Sequence, residues 1–233
     1  MAFQPIVDVE AGTIYAHEAL VRGTDGAGAK TILDQVTERT RYRFDQRSRT
    51  RAVEMASRAV QRPTVSINFL PNAVYEPAHC IRATLKAAAT YDVSVERIIF
   101  EISESEQVVD HSHLRNIIGE YRKQGLTTAI DDFGAGYSGL HLLADLQPDL
   151  IKLDMALTRN IDGDANRRAI VSGIVGTARQ LGVGVIAEGI ETRDELIVLQ
   201  ALGIRLHQGF LFARPAFETF LTTEELNRPD LIA

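Results

Sequence analysis

Polar side chains recur at or near the C-terminal ends of short apolar runs along this chain. They are carboxylates, carboxamides and one lysine: Glu18, Asn68, Glu101, Asp131 with Asp132, Lys152, Glu188 and Gln208. Several carboxylates within a few ångströms repel one another, and a buried carboxylate is unfavourable unless it is paired. Hard divalent cations resolve such a cluster, because Mg²⁺ and Mn²⁺ prefer carboxylate and amide oxygens. The set therefore predicts a divalent-metal site, provided that the fold brings these ends together.

The composition of the set also indicates a reaction. Oxygen ligands for one ion, without histidine or cysteine, come from Glu18, Asn68, Glu101 and Asp131. Because Asp131 and Asp132 are adjacent, one carboxylate can bridge two ions while the other serves the second. Two ions about 3.5–4 Å apart form the usual clamp for phosphoester hydrolysis. Beside them, Lys152 would hold the attacking water or stabilise charge on the phosphate.

Short apolar runs alternate with helical patterns along most of the chain. Strands are predicted at 2–8, 13–20, 64–68, 98–103, 127–131, 149–154, 183–189 and 204–210. Helical patterns lie between most of them, at 75–91, 111–124, 163–181 and 192–202.

The order of these elements predicts an α/β fold. The short connection between the first two strands favours antiparallel pairing, whereas the later alternation is typical of parallel βα units. We therefore expect a (β/α)₈ TIM-like barrel with one antiparallel strand, in which the strand ends meet at one face. An open doubly wound sheet is the alternative.

Composition excludes several classes of protein. The chain has 233 residues, with 25 Lys and Arg against 31 Asp and Glu, and 45% hydrophobic residues, which is ordinary for a globular protein. No Pro-, Gly- or Ser-rich linker divides it, so residues 1–233 are interpreted as a single domain. The single cysteine, Cys80, excludes an intrachain disulfide and a cysteine-based zinc site, and it fits a reducing compartment.

Charge and hydropathy argue against two kinds of partner. There is no apolar run of membrane-spanning length, and no block of Lys or Arg that would bind a nucleic-acid polymer. The arginines between residues 39 and 51 are interleaved with Tyr42 and Asp45, which predicts a solvated helix face.

One motif resembles a dinucleotide-binding fingerprint. Residues 134–139, GAGYSG, match G-x-G-x-x-G after a predicted strand, and Asp154 follows at the usual distance. However, Asp131 and Asp132 would repel a pyrophosphate bound there. A glycine loop beside a metal site explains the motif better.

The motifs and their order resemble the EAL-domain cyclic di-GMP phosphodiesterases. Glu18-Ala19-Leu20 is the name-giving motif, and six further elements follow in family order: SIN at 66–68, EISES at 101–105, DDFGAGYSGL at 131–140, IKLD at 151–154, AEGIE at 187–191, and QGF at 208–210 with RP at 214–215. The resemblance runs from about residue 3 to residue 215. Ala135 and Gly139 depart from the family's usual threonine and serine, but no metal ligand is lost.

The resemblance implies a fold and an activity. The fold is a (β/α)₈ barrel with one antiparallel strand, and the activity is hydrolysis of cyclic di-GMP to linear 5′-pGpG by metal-activated water. Two ions, Mg²⁺ or Mn²⁺, would be held by Glu18, Asn68, Glu101, Asp131 and Asp132. Lys152 would position the nucleophilic water, and Glu188 would act as general base or orient that water.

Other roles follow from the same resemblance. Substrate contacts would come from Gln4, Arg22 and Gln208. Glu191 would support the site, and Glu104 would tether the loop at 132–140 and couple dimerisation to metal binding. A cytoplasmic homodimer is implied, with a sensor domain N-terminal to this chain as a further possibility. The alternative function is a non-catalytic cyclic di-GMP receptor or protein-interaction module, but degenerate relatives usually lose a metal carboxylate or the lysine, and this chain keeps both.

Overall fold

A computed structural model describes residues 1–74, 76–104, 111–136 and 139–226. Within those residues the strands are Ala2–Asp8 (β1), Thr13–Leu20 (β2), Val65–Asn68 (β3), Ile98–Ser103 (β4), Thr127–Phe133 (β5), Leu150–Leu153 (β6), Gly184–Ala187 (β7), Leu206–His207 (β8) and Ala216–Phe217 (β9). The α-helices are Ala29–Leu33 (α1), Glu38–Arg58 (α2), Pro77–Cys80 (α3), Arg82–Thr90 (α4), His111–Lys123 (α5), Gly139–Leu146 (α6), Met155–Thr158 (α7), Ala165–Leu181 (α8) and Arg193–Ala201 (α9). No helix in this described part is both long and apolar enough to cross a membrane.

The strands close into a barrel. Strands β2 to β8 pair in sequence order and run parallel, while β1 lies antiparallel between β8 and β2 and completes the ring. Strand β9 pairs with the beginning of β1, outside the ring. The predicted (β/α)₈ barrel with one antiparallel strand is confirmed, and the open doubly wound sheet is excluded.

Some predicted boundaries differ from the structure. The strands predicted at 183–189 and 204–210 end earlier, at Ala187 and His207, so that Glu188 and Gln208 follow the strands directly. Their backbone N–H groups still donate to the neighbouring strands, at the carbonyl oxygens of Leu153 and Ala187. These polar side chains are therefore held by the barrel wall although they lie outside the regular strands.

Two apolar layers pack against the strands, one outside the barrel and one inside it. The larger core packs the helices on the outside of the barrel, and the smaller one fills its interior with Ile6, Ala16, Ile99, Ala129, Leu150 and Ile186, against which Leu206 packs. Side chains in a strand return to the same face every second residue. Moving two residues from each interior position toward the C-terminal ends of the parallel strands reaches Gln4, Glu18, Glu101, Asp131, Lys152, Glu188 and Gln208. The polar residues thus form the layer directly above an apolar plug.

The face of α2 that was predicted to be solvated is partly buried. Arg49 and Asp45 form an ion pair with side chains 0% and 1% exposed. Arg49 also donates to the Tyr121 hydroxyl at 3.1 Å, and Asp45 accepts the backbone N–H of Leu70 at 3.0 Å. The prediction of a solvated face was therefore wrong for Arg49, because a one-turn spacing to Asp45 let both charges enter the core together.

Replacing Arg49 with methionine should lower the free energy of unfolding by about 3–5 kcal/mol, because it leaves Asp45 buried without its cation. Urea unfolding followed by circular dichroism measures this difference. Arg58→Met is the matched control, since Arg58 pairs with Glu54 at the surface and exposed pairs contribute about 0–1 kcal/mol. Equal losses in the two variants would contradict the stabilising role of the buried pair.

Candidate active site

Lys152 lies at the centre of the polar layer. Its side chain is fully buried, and its Nζ lies 2.8 Å from Asp131 Oδ1, 2.8 Å from Glu188 Oε1, 3.1 Å from Glu101 Oε1 and 3.4 Å from Glu18 Oε2. These four carboxylates come from different parts of the barrel wall: three lie on β2, β4 and β5, and Glu188 directly follows β7. One ammonium group therefore faces four acidic groups that the sequence keeps far apart.

Hydrogen bonds between neighbouring strands orient the carboxylates. The Asn68 amide donates to Glu18 Oε1 at 3.0 Å and to Glu101 Oε2 at 3.2 Å, and the Ser66 hydroxyl donates to Glu101 Oε1 at 2.6 Å. On the other side, Gln208 Nε2 donates to Glu18 Oε2 at 2.8 Å. The parallel register, which aligns Asn68 with Glu101, brings these groups within reach.

Asp131 and Asp132 both reach the site because β5 is irregular there. The pairing of β5 with β6 shifts register between Ile130 and Phe133, as a β-bulge does. Asp132 has φ of +55°, a conformation uncommon for a non-glycine residue and frequent at functional sites. The Ser103 hydroxyl donates to Asp132 Oδ2 at 2.8 Å and holds this carboxylate in place.

Burial and mutual repulsion shift the protonation of the cluster. Burial raises the pKa of Glu101 well above its usual range, although Lys152 opposes this shift. Burial likewise raises the pKa of Glu188 to about 8, against the pull of the ammonium group. Burial acts against the charge of Lys152, but the carboxylates led by Asp131 outweigh it and raise the lysine pKa well above its ordinary value. The lysine therefore stays charged, and the surplus of carboxylates favours a further cation.

The oxygen atoms form two overlapping groups with the dimensions of a metal site. Ligand atoms of Glu18, Glu101 and Asp131 lie within 4.8 Å of one another, and so do those of Asp131, Asp132 and Glu188. Asp131 belongs to both groups. Oxygen-only donors, an excess of negative charge and a shared carboxylate fit one or two hard divalent cations.

A cleft of about 550 Å³ opens above this layer. Its lining includes Gln4, Glu18, Leu20, Asp131, Asp132, Asp154, Met155, Arg159, Glu188, Gly189, Glu191, Gln208, Gly209 and Phe210. Gln4 accepts from Gln208 at 3.2 Å and donates to the Ala213 carbonyl at 3.1 Å, so both amides are fixed at the cleft floor. Arg22 does not line this cleft, and its guanidinium donates to the Val21 carbonyl at 2.7 Å.

Glu104 and Glu191 support the rim in different ways. The buried Glu104 carboxylate accepts the backbone N–H groups of Gly134 and Gly139, both at 2.7 Å, and so ties down the two ends of the glycine loop. Residues 137 and 138 of that loop lie outside the described residues. Glu191 Oε1 accepts from Arg159 at 2.8 Å at the edge of the cleft.

The sequence interpretation missed several contributors. Ser66 precedes Asn68 by two residues, so strand periodicity alone would have placed it on the inner face. Met155 lines the cleft and is 55% exposed there. Phe210 is also exposed there, with the Arg214 guanidinium 4.1 Å from its ring centroid. No spacing in the sequence indicated Met155 or Phe210, because their positions depend on how the segments after the strands fold over the barrel.

A comparison with protein families identifies this arrangement. The family model of the EAL domain matches residues 1–215 of this chain. The chain belongs to the EAL domain family. This EAL domain is 43% identical to a standalone versatile EAL protein from Vibrio cholerae O395, solved in its c-di-GMP-bound form, with a TM-score of 0.94 over 100% of this chain and 97% of that one. Klebsiella pneumoniae BlrP1, solved as a manganese/cy-diGMP complex, is 35% identical with a TM-score of 0.87 over 93% of this chain and 56% of that one.

Two curated relatives of the EAL domain carry names that indicate different functions. The blue light- and temperature-regulated antirepressor BluF of Escherichia coli strain K12 is 32% identical over 214 residues, which cover 91% of this chain and 53% of BluF. The cyclic di-GMP phosphodiesterase PA2567 of Pseudomonas aeruginosa is 37% identical over 140 residues, 60% of this chain and 24% of PA2567. The chain thus spans about half of one relative and the match about a quarter of the other.

Proposed function

We propose that this EAL domain is a metal-dependent phosphodiesterase that hydrolyses cyclic di-GMP to linear 5′-pGpG. The observation that carries the proposal is the cluster beneath the cleft, in which Lys152 contacts four carboxylates that lie on or directly after four separate strands. Relatives named as cyclic di-GMP phosphodiesterases and the cy-diGMP complexes of similar structures support the choice of substrate.

The donors fit two hard cations. One would be held by Glu18, Asn68, Glu101 and Asp131, and the other by Asp131 and Asp132 with Glu188 beside them. Bound there, Mg²⁺ or Mn²⁺ would supply Lewis-acid chemistry, which activates water and withdraws charge from a phosphodiester.

The protein groups supply position and proton transfer. The Lys152 ammonium, fixed by its carboxylate partners, would orient the attacking water and offset charge on the phosphate. As the water oxygen bonds to phosphorus, the bond from phosphorus to the ribose 3′ oxygen breaks. Glu188 would accept the proton lost by the water, and the leaving 3′ oxygen would take up a proton from solvent, so that one ring opening yields a 5′-phosphate and a 3′-hydroxyl. Gln4 and Gln208 would hold the substrate from the cleft floor. Arg22, which is not one of the residues that line the cleft, would contact the substrate from beyond the lining.

A non-catalytic receptor or interaction module is the second candidate, because one relative is named as an antirepressor. Incubating the protein with cyclic di-GMP and Mn²⁺, with and without a chelator, separates the two by chromatography of the products. Chelator-sensitive pGpG is the expected result. Tight binding of cyclic di-GMP without any product would instead favour the receptor. Homodimerisation, a preceding sensor domain, a cytoplasmic location and the extent of the domain over 1–233 stay predictions.

A further inference from the structure

Glu195 is a buried carboxylate at the start of α9 that binds three backbone N–H groups. It is 1% exposed. Its Oε2 accepts from the N–H groups of Glu191 at 3.0 Å and Thr192 at 3.1 Å, and its Oε1 accepts from Asn160 at 2.8 Å. The Thr192 contact belongs to the capping box of α9. The Asn160 contact does not, because it reaches the segment after α7.

The loop between β7 and α9 carries Glu188 and Glu191 and lies flat against α7. The Thr158 hydroxyl donates to the Glu188 carbonyl at 2.6 Å. Gly189 has φ of +69°, and a Cβ there would lie 2.5 Å from Met155 Cβ, so only glycine permits this approach. The Glu195 carboxylate joins the far end of this loop to the segment that directly follows α7.

The attachment of this loop affects the position of the Glu188 carboxylate. This carboxylate lies 2.8 Å from Lys152 Nζ and shares the second oxygen group with Asp131 and Asp132. A displacement of about 1 Å at such a group can cost about 100-fold in rate. Since Glu188 follows its strand and precedes this loop, the loop's attachment to α7 helps to set where the carboxylate lies.

We propose that Glu195 is a positioning residue for Glu188, and through it for the second cation group. The inference rests on the proposed function only for its effect on turnover. Its effect on cation binding concerns the geometry of the loop and is measured without substrate.

The test is a set of variants titrated with Mn²⁺ alone. Glu195→Ala should weaken one of the two Mn²⁺ affinities about 10- to 100-fold, the usual effect of losing an outer-shell partner, and leave the other within about twofold. In turnover, kcat should fall by a similar factor while KM changes little. Glu195→Gln should weaken the same affinity, because its single oxygen can complete the capping box but its NH₂ group cannot accept the N–H of Asn160.

Glu225→Ala is the matched control, because Glu225 completes a capping box with Thr222 at the surface, away from the cleft lining. It should leave both affinities unchanged. Glu195→Asp keeps the charge but shortens the reach, and it should reproduce the weakened affinity if the alanine variant does not fold.

Unchanged Mn²⁺ binding in folded Glu195→Ala or Glu195→Asp would overturn the inference, and so would a wild-type chain with a single Mn²⁺ site. A wild type that binds two Mn²⁺ but forms no pGpG would overturn the proposed function instead, and a selective loss of one ion in Glu195→Ala would then still support the positioning role.

Discussion

Replacing Asp131 with asparagine should lower kcat/KM for cyclic di-GMP by on the order of 10³-fold, which corresponds to about 4 kcal/mol of transition-state stabilisation. Asp131 is the carboxylate that both oxygen groups share, and it contacts Lys152 at 2.8 Å. Asparagine keeps the shape but loses the negative charge that would bridge two cations. Steady-state kinetics should therefore show the lower kcat/KM, and Mn²⁺ titration of the same variant should show that both Mn²⁺ affinities are reduced.

Asp164→Asn provides the control for this substitution. Asp164 caps α8, where its side chain accepts N–H groups of Asn166 and Arg167, and it does not line the cleft. The same chemical change there should leave turnover within about twofold of wild type. Near-normal activity in Asp131→Asn would contradict the assignment of Asp131 as a ligand shared by both oxygen groups.

Replacing Glu18 with alanine should abolish turnover, because Glu18 belongs to the oxygen group that it forms with Glu101 and Asp131. The same steady-state assay measures this loss.

Replacing Lys152 with methionine should produce two separable losses. The kcat should fall about 10²- to 10³-fold with little change in KM, because the ammonium acts on groups that gain charge in the transition state. Without Mn²⁺, the free energy of unfolding should also fall by about 3–5 kcal/mol, since the carboxylates lose their buried cation. Thermal unfolding should then show a larger Mn²⁺-induced stabilisation in the variant than in the wild type.

Lys30→Met is the control for the lost charge, because Lys30 forms an exposed pair with Asp34 and its side chain is 86% exposed. It should change neither kinetics nor stability appreciably. A proportional rise in KM in Lys152→Met would argue against a role of Lys152 on the nucleophile. An undiminished stability of that variant without Mn²⁺ would show that the carboxylates do not depend on the ammonium group for pairing.

Much of the fold could be predicted from local patterns. The β1 and β2 runs were predicted at their observed bounds, because a short connection separates them and β-branched or aromatic residues recur in both. Polar residues after apolar runs indicated the oxygen-rich site, since strand ends converge whenever parallel strands close into a barrel. The boundaries of β7 and β8 were predicted too long, because backbone pairing rather than hydropathy ends them.

Residue types and their order along the chain were enough to indicate the fold class, the acidic layer and the family resemblance, since these depend on short-range periodicity and on motifs. Tertiary structure alone showed that Lys152 sits among four carboxylates, that a bulge turns Asp131 and Asp132 to one side, and that Glu195 joins two loops. It also placed Arg49 in the core rather than in solvent. The physical reason is that each of these contacts joins residues through pairing register, backbone strain or desolvation. These quantities are defined only once distant segments pack together.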